Sequence, residues 1–338
     1  MKKLLFLILI LPLAVQAQSY DFVQLSTGHS TSIRGMSVVS DQVAWVSGSN
    51  GSVGKTLDAG KTWQWMTPAG YEKLEFRDIE AFDSNKAIIV NAGSPAFVLL
   101  TIDGGKSWTQ TYKNTDSAIF LDGMDFWDTN RGIIFGDPID NKMQLLRTMD
   151  GGLSWTNISA NLKENMLSGE AGFAASGTSV RIMGNGKVWI ATGGAASNLY
   201  YSTSYGDNWR SYKCPILQGE SSTGIFSIAF LDKKNGVAVG GNYLKDKENT
   251  NNVLLTGNSG RTWRKPIKPV DGFRSGVIYL TKNVLIATGT SGTDISTDGG
   301  LRWNNISKLS FNVIQKSKSG KLVLLAGNKG QIYKLAIN

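Results

Sequence analysis

Apolar and polar residues alternate in short runs along nearly the whole chain, and the runs are rich in β-branched and aromatic residues. That period of two predicts strands. The strands come in sets of four. The first set covers residues 33–39, 43–47 and 52–56 and a strand starting at Trp63; the second covers 77–82, 87–91, 97–101 and 108–112. The third covers 123–127, 132–135, 144–148 and 155–158. In the fourth, 187–192, 199–203 and 209–212 are clear, and the innermost strand is either 172–176 or 180–183. The fifth set is 225–231, 236–240, 252–256 and from Trp263 onward; the sixth is 275–280, 284–288, 294–297 and 303–306. Three strands then remain, at 312–316, 322–326 and 331–336, and residues 20–25 ahead of the first set can complete them. No long amphipathic helical pattern interrupts the series.

Each set ends on one motif, seen best as Thr101-Ile102-Asp103-Gly104-Gly105-Lys106-Ser107-Trp108. Its tryptophans are Trp63, Trp108, Trp155, Trp209, Trp263 and Trp303, spaced by 45, 47, 54, 54 and 40 residues. This is the length of one four-stranded propeller blade. Five residues before each tryptophan stands Asp58, Asp103, Asp150, Ser204, Asn258 or Asp298, and three before stands a glycine. Glycine supplies the positive φ of a tight reversal, and an Asp, Asn or Ser side chain accepts hydrogen bonds from loop N–H groups. The tryptophan buries a large flat surface between sheets. All three roles are structural, because six such turns a blade apart would make six remote sites. The expectation is an all-β, seven-bladed propeller of four-stranded antiparallel blades, its ring closed by an N-terminal strand within 18–28 that removes the exposed edges.

Composition adds a compartment. Met1-Lys2-Lys3, an apolar run through Val15 and the small-residue end at Ala17 read as a signal peptide over 1–17, leaving 18–338 as one propeller domain. Nothing later approaches a membrane span, so export to a periplasm or beyond the cell is expected. Cys214 has no partner and reads as a packed thiol. The net charge of +9 falls to +7 without Lys2 and Lys3 and is scattered, which gives no support to nucleic-acid binding. One histidine, His29, supports neither a metal site nor a catalytic triad, and the absence of phosphate-loop and dinucleotide fingerprints points to no cofactor.

The Ser/Thr-x-Asp-x-Gly-x-Ser/Thr-Trp pattern is similar to the Asp-box, or BNR repeat, of sialidases, some glycoside hydrolases, sortilin-type receptors and the photosystem II stability and assembly factors. With a box in nearly every blade and strands such as 236–240 ahead of it, the chain resembles the last group most. That resemblance covers essentially the mature chain and implies a non-catalytic, seven-bladed binding propeller. A sialidase would carry Arg-Ile-Pro before its first box and a tyrosine nucleophile paired with glutamate; here Ser32-Ile33-Arg34-Gly35 lacks the proline, and the sequence identifies no Tyr–Glu pair.

Because the boxes occupy one face, a site is expected on the other. Arg34, Arg77 and Arg274 fall at equivalent inner-strand starts and would form a basic arc; Asp122, Asp137 and Glu170 would lie across from them, with Asn242 on the rim. Two functions are open. A binding propeller would use the arginines on acidic groups of a protein partner, as a monomer. A glycoside hydrolase acting on carbohydrate would pair two of Asp122, Asp137 and Glu170 as acid and base or nucleophile.

Overall fold

A computed structural model describes residues 19–26 and 28–338; the expected signal peptide lies outside the described residues. Seven antiparallel sheets succeed one another along the chain. Their inner strands are Ile33–Val38, Glu75–Ala81, Leu121–Phe126, Val180–Met183, Thr223–Phe230, Gly276–Tyr279 and Val313–Lys316. The molecule is therefore the expected propeller. Among the described residues no helix is long and apolar enough to cross a membrane.

The seventh blade closes as expected. Tyr20–Ser26 pairs antiparallel with Ile332–Ile337, setting Tyr20 opposite Ile337 and Gln24 opposite Tyr333. A second clasp, which the sequence did not announce, lies one turn further in. Asp41 Oδ1 accepts Lys321 N (2.6 Å) and Leu322 N (2.7 Å), and Lys318 N donates to Val38 O (2.9 Å). Blade seven thus grips blade one through both its outer strand and its first turn.

Two local features depart from the regular plan. The inner strand of blade four is Val180–Met183, not 172–176. In blade five the fourth strand shrinks to a single bridge between Leu255 and Arg264, because Pro266 and Pro269 interrupt the segment after it and proline cannot donate to a ladder. The chain there turns to blade six, where Ile267 N donates to Leu301 O (2.8 Å).

Packing between adjacent sheets forms the core. Ile33, Met36, Val46, Val313 and Leu324 fill the seam between blades one and seven, with Leu25 and Trp63 against it. Of the box tryptophans only Trp303 is fully buried; the other fully buried tryptophans, Trp45 and Trp189, sit on the second strands of blades one and four. Cys214 is also buried, and burial raises its thiol pKa to about 12, which suits a packing role.

Candidate binding sites of the ring

The Asp-box turns are closed hydrogen-bonded units. Asp103 accepts Ser107 N (3.0 Å) and Ser107 Oγ (2.6 Å), and Thr101 Oγ1 donates to Asp103 Oδ1 (2.9 Å) while accepting Gly105 N (2.9 Å). Asp58 is held the same way, and the hydroxyl and N–H of Thr62 lower its pKa to about 2. The indole N–H of Trp63 donates to Gly60 O (3.1 Å), with the same bond at Trp209 and Trp303 (both 2.9 Å). Each turn also leans on the first turn of its own blade, as in Gly104 N to Asn85 O (2.9 Å). Boxes and first turns therefore share one face. The Asp, Asn or Ser side chain that heads each box is already paired and shapes the turn, whereas the indole N–H groups of Trp108 and Trp263 have no partner among the described residues.

On the opposite face Arg34 and Arg77 lie together, both half-buried. Burial and the neighbouring Arg77 charge lower the pKa of Arg34, with Glu75 opposing; Arg77 Nε is 3.6 Å from Glu75. Arg274 does not join them. It is fully buried: Nε donates to Asp294 (2.8 Å), Nη1 to Phe273 O (2.7 Å) and Ser291 Oγ (2.6 Å), and Nη2 to Asp271 O (2.9 Å) and to Asp294. A guanidinium taken out of water keeps its charge only with such a set of partners. The expected arc is thus a pair, and Arg274 is a strut that ties blade six to the linker entering it.

The acidic candidates are also turned inward. Asp122 sits at a bulge in the inner strand of blade three, completely buried beside Asp137. Burial, then the charge of Asp137, raises its pKa well above the carboxylate range. Asp137 Oδ1 accepts Gly172 N (2.8 Å). Glu170 is buried and saturated: Oε1 accepts Thr192 Oγ1 (2.5 Å), Asn198 Nδ2 (3.0 Å) and Tyr200 OH (3.0 Å), and Oε2 accepts Leu167 N (3.1 Å). A Tyr–Glu pair therefore exists, contrary to the sequence reading, but burial and the Glu170 charge raise the Tyr200 pKa, the reverse of what a phenolate nucleophile needs. Asn242 is buried too, its amide on Glu220 (3.0 Å) and its carbonyl accepting Leu244 N (2.9 Å). None of the three acids lines a described cavity.

The reason lies in residues 172–179, which the strand pattern left ambiguous. Arg34 Nη1 donates to Ala175 O (3.4 Å), and a Cβ on Gly177 would stand 2.3 Å from Asp78 Oδ1. Ser176 Oγ donates to Ser275 O (2.6 Å), and Thr178 Oγ1 to Ser227 Oγ (2.6 Å). A segment that touches blades one, two, five and six lies across the ring axis. It plugs the channel on the face opposite the boxes. Phe173 stacks on Phe226 at 3.9 Å, and Phe226 meets Phe273 (4.7 Å) and the exposed Tyr243 (6.0 Å), so the plug is packed against an aromatic cluster from which Tyr243 reaches the surface.

The channel instead opens among the boxes, as a cavity of about 590 Å³ lined by the ends of all seven inner strands. Its charged walls are Glu80, Asp125, Asp128, Arg181, Lys316 and Lys318. Glu80 pairs with Lys318, and Arg181 Nε donates to Ile228 O (3.2 Å). Beneath the plug, beside Gly177, Asp78 accepts Met124 N (2.7 Å) and Ile79 N (2.8 Å), yet burial raises its pKa to about 7; burial likewise raises Asp125, which lines the cavity, to about 6. Alternation in the sequence did place Asp78, Glu80 and Asp125 on inner strands, which was the available signal.

The family model described as photosynthesis system II assembly factor YCF48 matches residues 13–118. A search of the curated proteins found no match. Among solved structures, YCF48 bound to D1 peptide is 19% identical, with 96% of this chain and 99% of that one covered at a TM-score of 0.67. YCF48 from Cyanidioschyzon merolae is 18% identical, covering 93% and 98%, TM-score 0.65. The GH74 xyloglucanase from Xanthomonas campestris is 15% identical over 93% of this chain but 53% of its own, TM-score 0.59. At these identities the structural likeness is one of fold. The chain is a seven-bladed Asp-box propeller that resembles the photosystem II assembly factors.

Proposed function

We propose that this chain is an exported, non-catalytic binding propeller that docks an acidic peptide segment of a protein partner on the face opposite its boxes. The observation that carries this reading is the Arg34–Arg77 pair. Two half-buried guanidiniums face one another's charge with Glu75 as the nearby carboxylate, and the exposed Tyr243 ring meets the buried Phe226 of the plug's aromatic cluster. Forked guanidiniums suit carboxylates, and the exposed Tyr243 ring supplies contact area at low entropic cost. The peptide in one YCF48 structure favours a peptide ligand here. Leu4 through Ala17 supports export, and N-terminal sequencing of the mature protein should begin at Gln18.

The glycoside hydrolase alternative has less behind it, since Asp122 and Glu170 are buried and no two candidate carboxylates face a common cavity. A panel of acidic peptides, with free and with amidated ends, tests the proposal by titration calorimetry. Binding should weaken at least tenfold in the Arg34→Ala/Arg77→Ala double variant, and no glycoside should be cleaved. Peptide affinity indifferent to both arginines, or hydrolysis that disappears in Asp137→Asn, overturns it.

A further inference from the structure

The boxes of blades four and five differ from the rest in charge. Where the other boxes carry Asp58, Asp103, Asp150 and Asp298, these carry Ser204 and Asn258. The turns survive the change: Asn208 N donates to Ser204 Oγ (3.0 Å) and Thr262 N to Asn258 Oδ1 (2.9 Å). Folding therefore does not need a carboxylate here, and its loss alters only the local field. The residue after the box tryptophan changes in the same two blades, to Arg210 and Arg264, against Gln64, Thr109, Thr156 and Asn304 elsewhere. Counting Asp207, an anion that the blade-four box alone carries two residues before its tryptophan, the two boxes have lost one anion net, and the residues that follow them have gained two cations.

Between these two boxes lies a cleft of about 270 Å³ lined by Tyr201, Thr203, Asn208, Trp209, Arg210 and Arg261. Its floor is rigid. Tyr201 stacks on Trp189 (5.0 Å) and Trp189 on Phe230 (4.1 Å), while the Trp209 indole is anchored to Gly206 O (2.9 Å). Arg210 and Arg261 line the same cleft as the Tyr201 ring. Among the described residues, neither arginine has a carboxylate partner, and the side-chain polar groups of Tyr201, Thr203 and Asn208 make no internal hydrogen bond. The adjoining sector is different. There Arg147 is held by Asp207 (2.6 Å) and Tyr205 O (3.0 Å), and Arg131 is paired with Asp128 (2.5 Å) and laid over the Tyr205 ring.

We propose that the cleft between blades four and five binds an acidic sugar, the uronate or sulfated ring of a polysaccharide. Two unpaired guanidiniums supply donors for one oxyanion. The free hydroxyls of Tyr201 and Thr203 and the Asn208 carboxamide match ring hydroxyls, a requirement that an acidic peptide does not have. The cleft is smaller than the roughly 300–1,000 Å³ of a drug-sized pocket, which suits a single ring with the rest of the polymer outside.

The test uses the full mature protein with a sulfated, uronate-containing disaccharide, neutral cellobiose, sodium sulfate and an acidic hexapeptide, read by calorimetry and tryptophan fluorescence. The acidic disaccharide should saturate one site and cellobiose should not. Arg210→Gln and Arg261→Gln should each weaken binding about tenfold, and Asn208→Ala several-fold, at unchanged melting temperature. Arg302→Gln, which removes an arginine already paired with Asp298, and Arg34→Ala/Arg77→Ala on the other face should leave it intact, which separates this site from the proposed peptide site. The assignment falls if the acidic disaccharide does not saturate, or if the Arg210→Gln/Arg261→Gln protein still binds it. It also falls if sulfate binds as tightly as the disaccharide, or if the hexapeptide binds more tightly.

Discussion

Asp58 and Asp78 are the same side chain on neighbouring blades, and the protein drives them in opposite directions. Asp58, in a box turn, is ringed by the hydroxyl and N–H of Thr62 and stays ionised down to about pH 2. Asp78, buried against the plug, also accepts two N–H groups, yet burial raises its pKa to about 7. Hydrogen bonds decide the first case and desolvation the second. The pattern extends to whole faces: the box face is held by exposed, satisfied carboxylates, whereas the axis and the plug are held by buried groups that tolerate little change.

The largest expected effect separates a buried ion pair from an exposed one. Arg274→Ala leaves Asp294 buried without its cation and should cost about 3–5 kcal/mol in denaturant unfolding. Arg302→Ala, which breaks the solvent-exposed pair with Asp298, should cost less than about 1 kcal/mol. Equal losses would mean that the two faces do not differ in this way.

The same division explains how much was legible in the sequence. Blade number, strand order and the closing strand at Tyr20–Ser26 could be read because the box repeats at a fixed offset from each fourth strand, and period two marks the others. The site could not, because it depends on what breaks the repeat. Arg274 looked exposed by residue type, and its partner Asp294 lies two strands further along the same blade, where Thr293-Asp294-Ile295 offered a charge at an inward position as the one hint. Residues 172–179 follow no period, so their course over the axis is set by contacts with four other blades. The Tyr200–Glu170 bond spans 30 residues with no pattern linking them.

A smaller effect should come from glycines of the two faces. Gly177 has φ +67°, and a Cβ there would meet Asp78 Oδ1 at 2.3 Å. Gly177→Ala combines left-handed strain with overpacking and should cost roughly 2–3 kcal/mol. Gly104, in a box, has φ +77° and faces the flexible Lys55 ammonium at 2.7 Å, so Gly104→Ala should cost about 1 kcal/mol, mostly strain. Calorimetric melting of both variants measures the difference; a Gly104 loss as large as that at Gly177 would remove the distinction.

The finest test is the dependence of stability on pH, where the two carboxylates must act with opposite sign. Asp58 has a folded pKa of about 2 against the ordinary 3.8, so the unfolded chain binds more protons in between. Its contribution is present above pH 4 and is lost as pH falls from about 4 to 2. Asp78 has a folded pKa of about 7, so between pH 4 and 7 the folded protein keeps a proton that the unfolded chain has released. Its contribution is complete below pH 4 and declines as pH rises toward 7, with Asp125 adding a parallel decline up to about 6. Asp78→Asn keeps one acceptor and abolishes the titration. Relative to the parent protein it should therefore gain roughly 1–2 kcal/mol between pH 4 and pH 8, a discounted share of the about 1.4 kcal/mol that each tenfold change in proton affinity carries. Asp58→Asn should show no such gain in that range and should instead flatten the loss below pH 4. Urea unfolding across pH 2–8 reads both. If the two variants change the profile in the same window, hydrogen bonding and burial are not dividing the carboxylates as the geometry indicates.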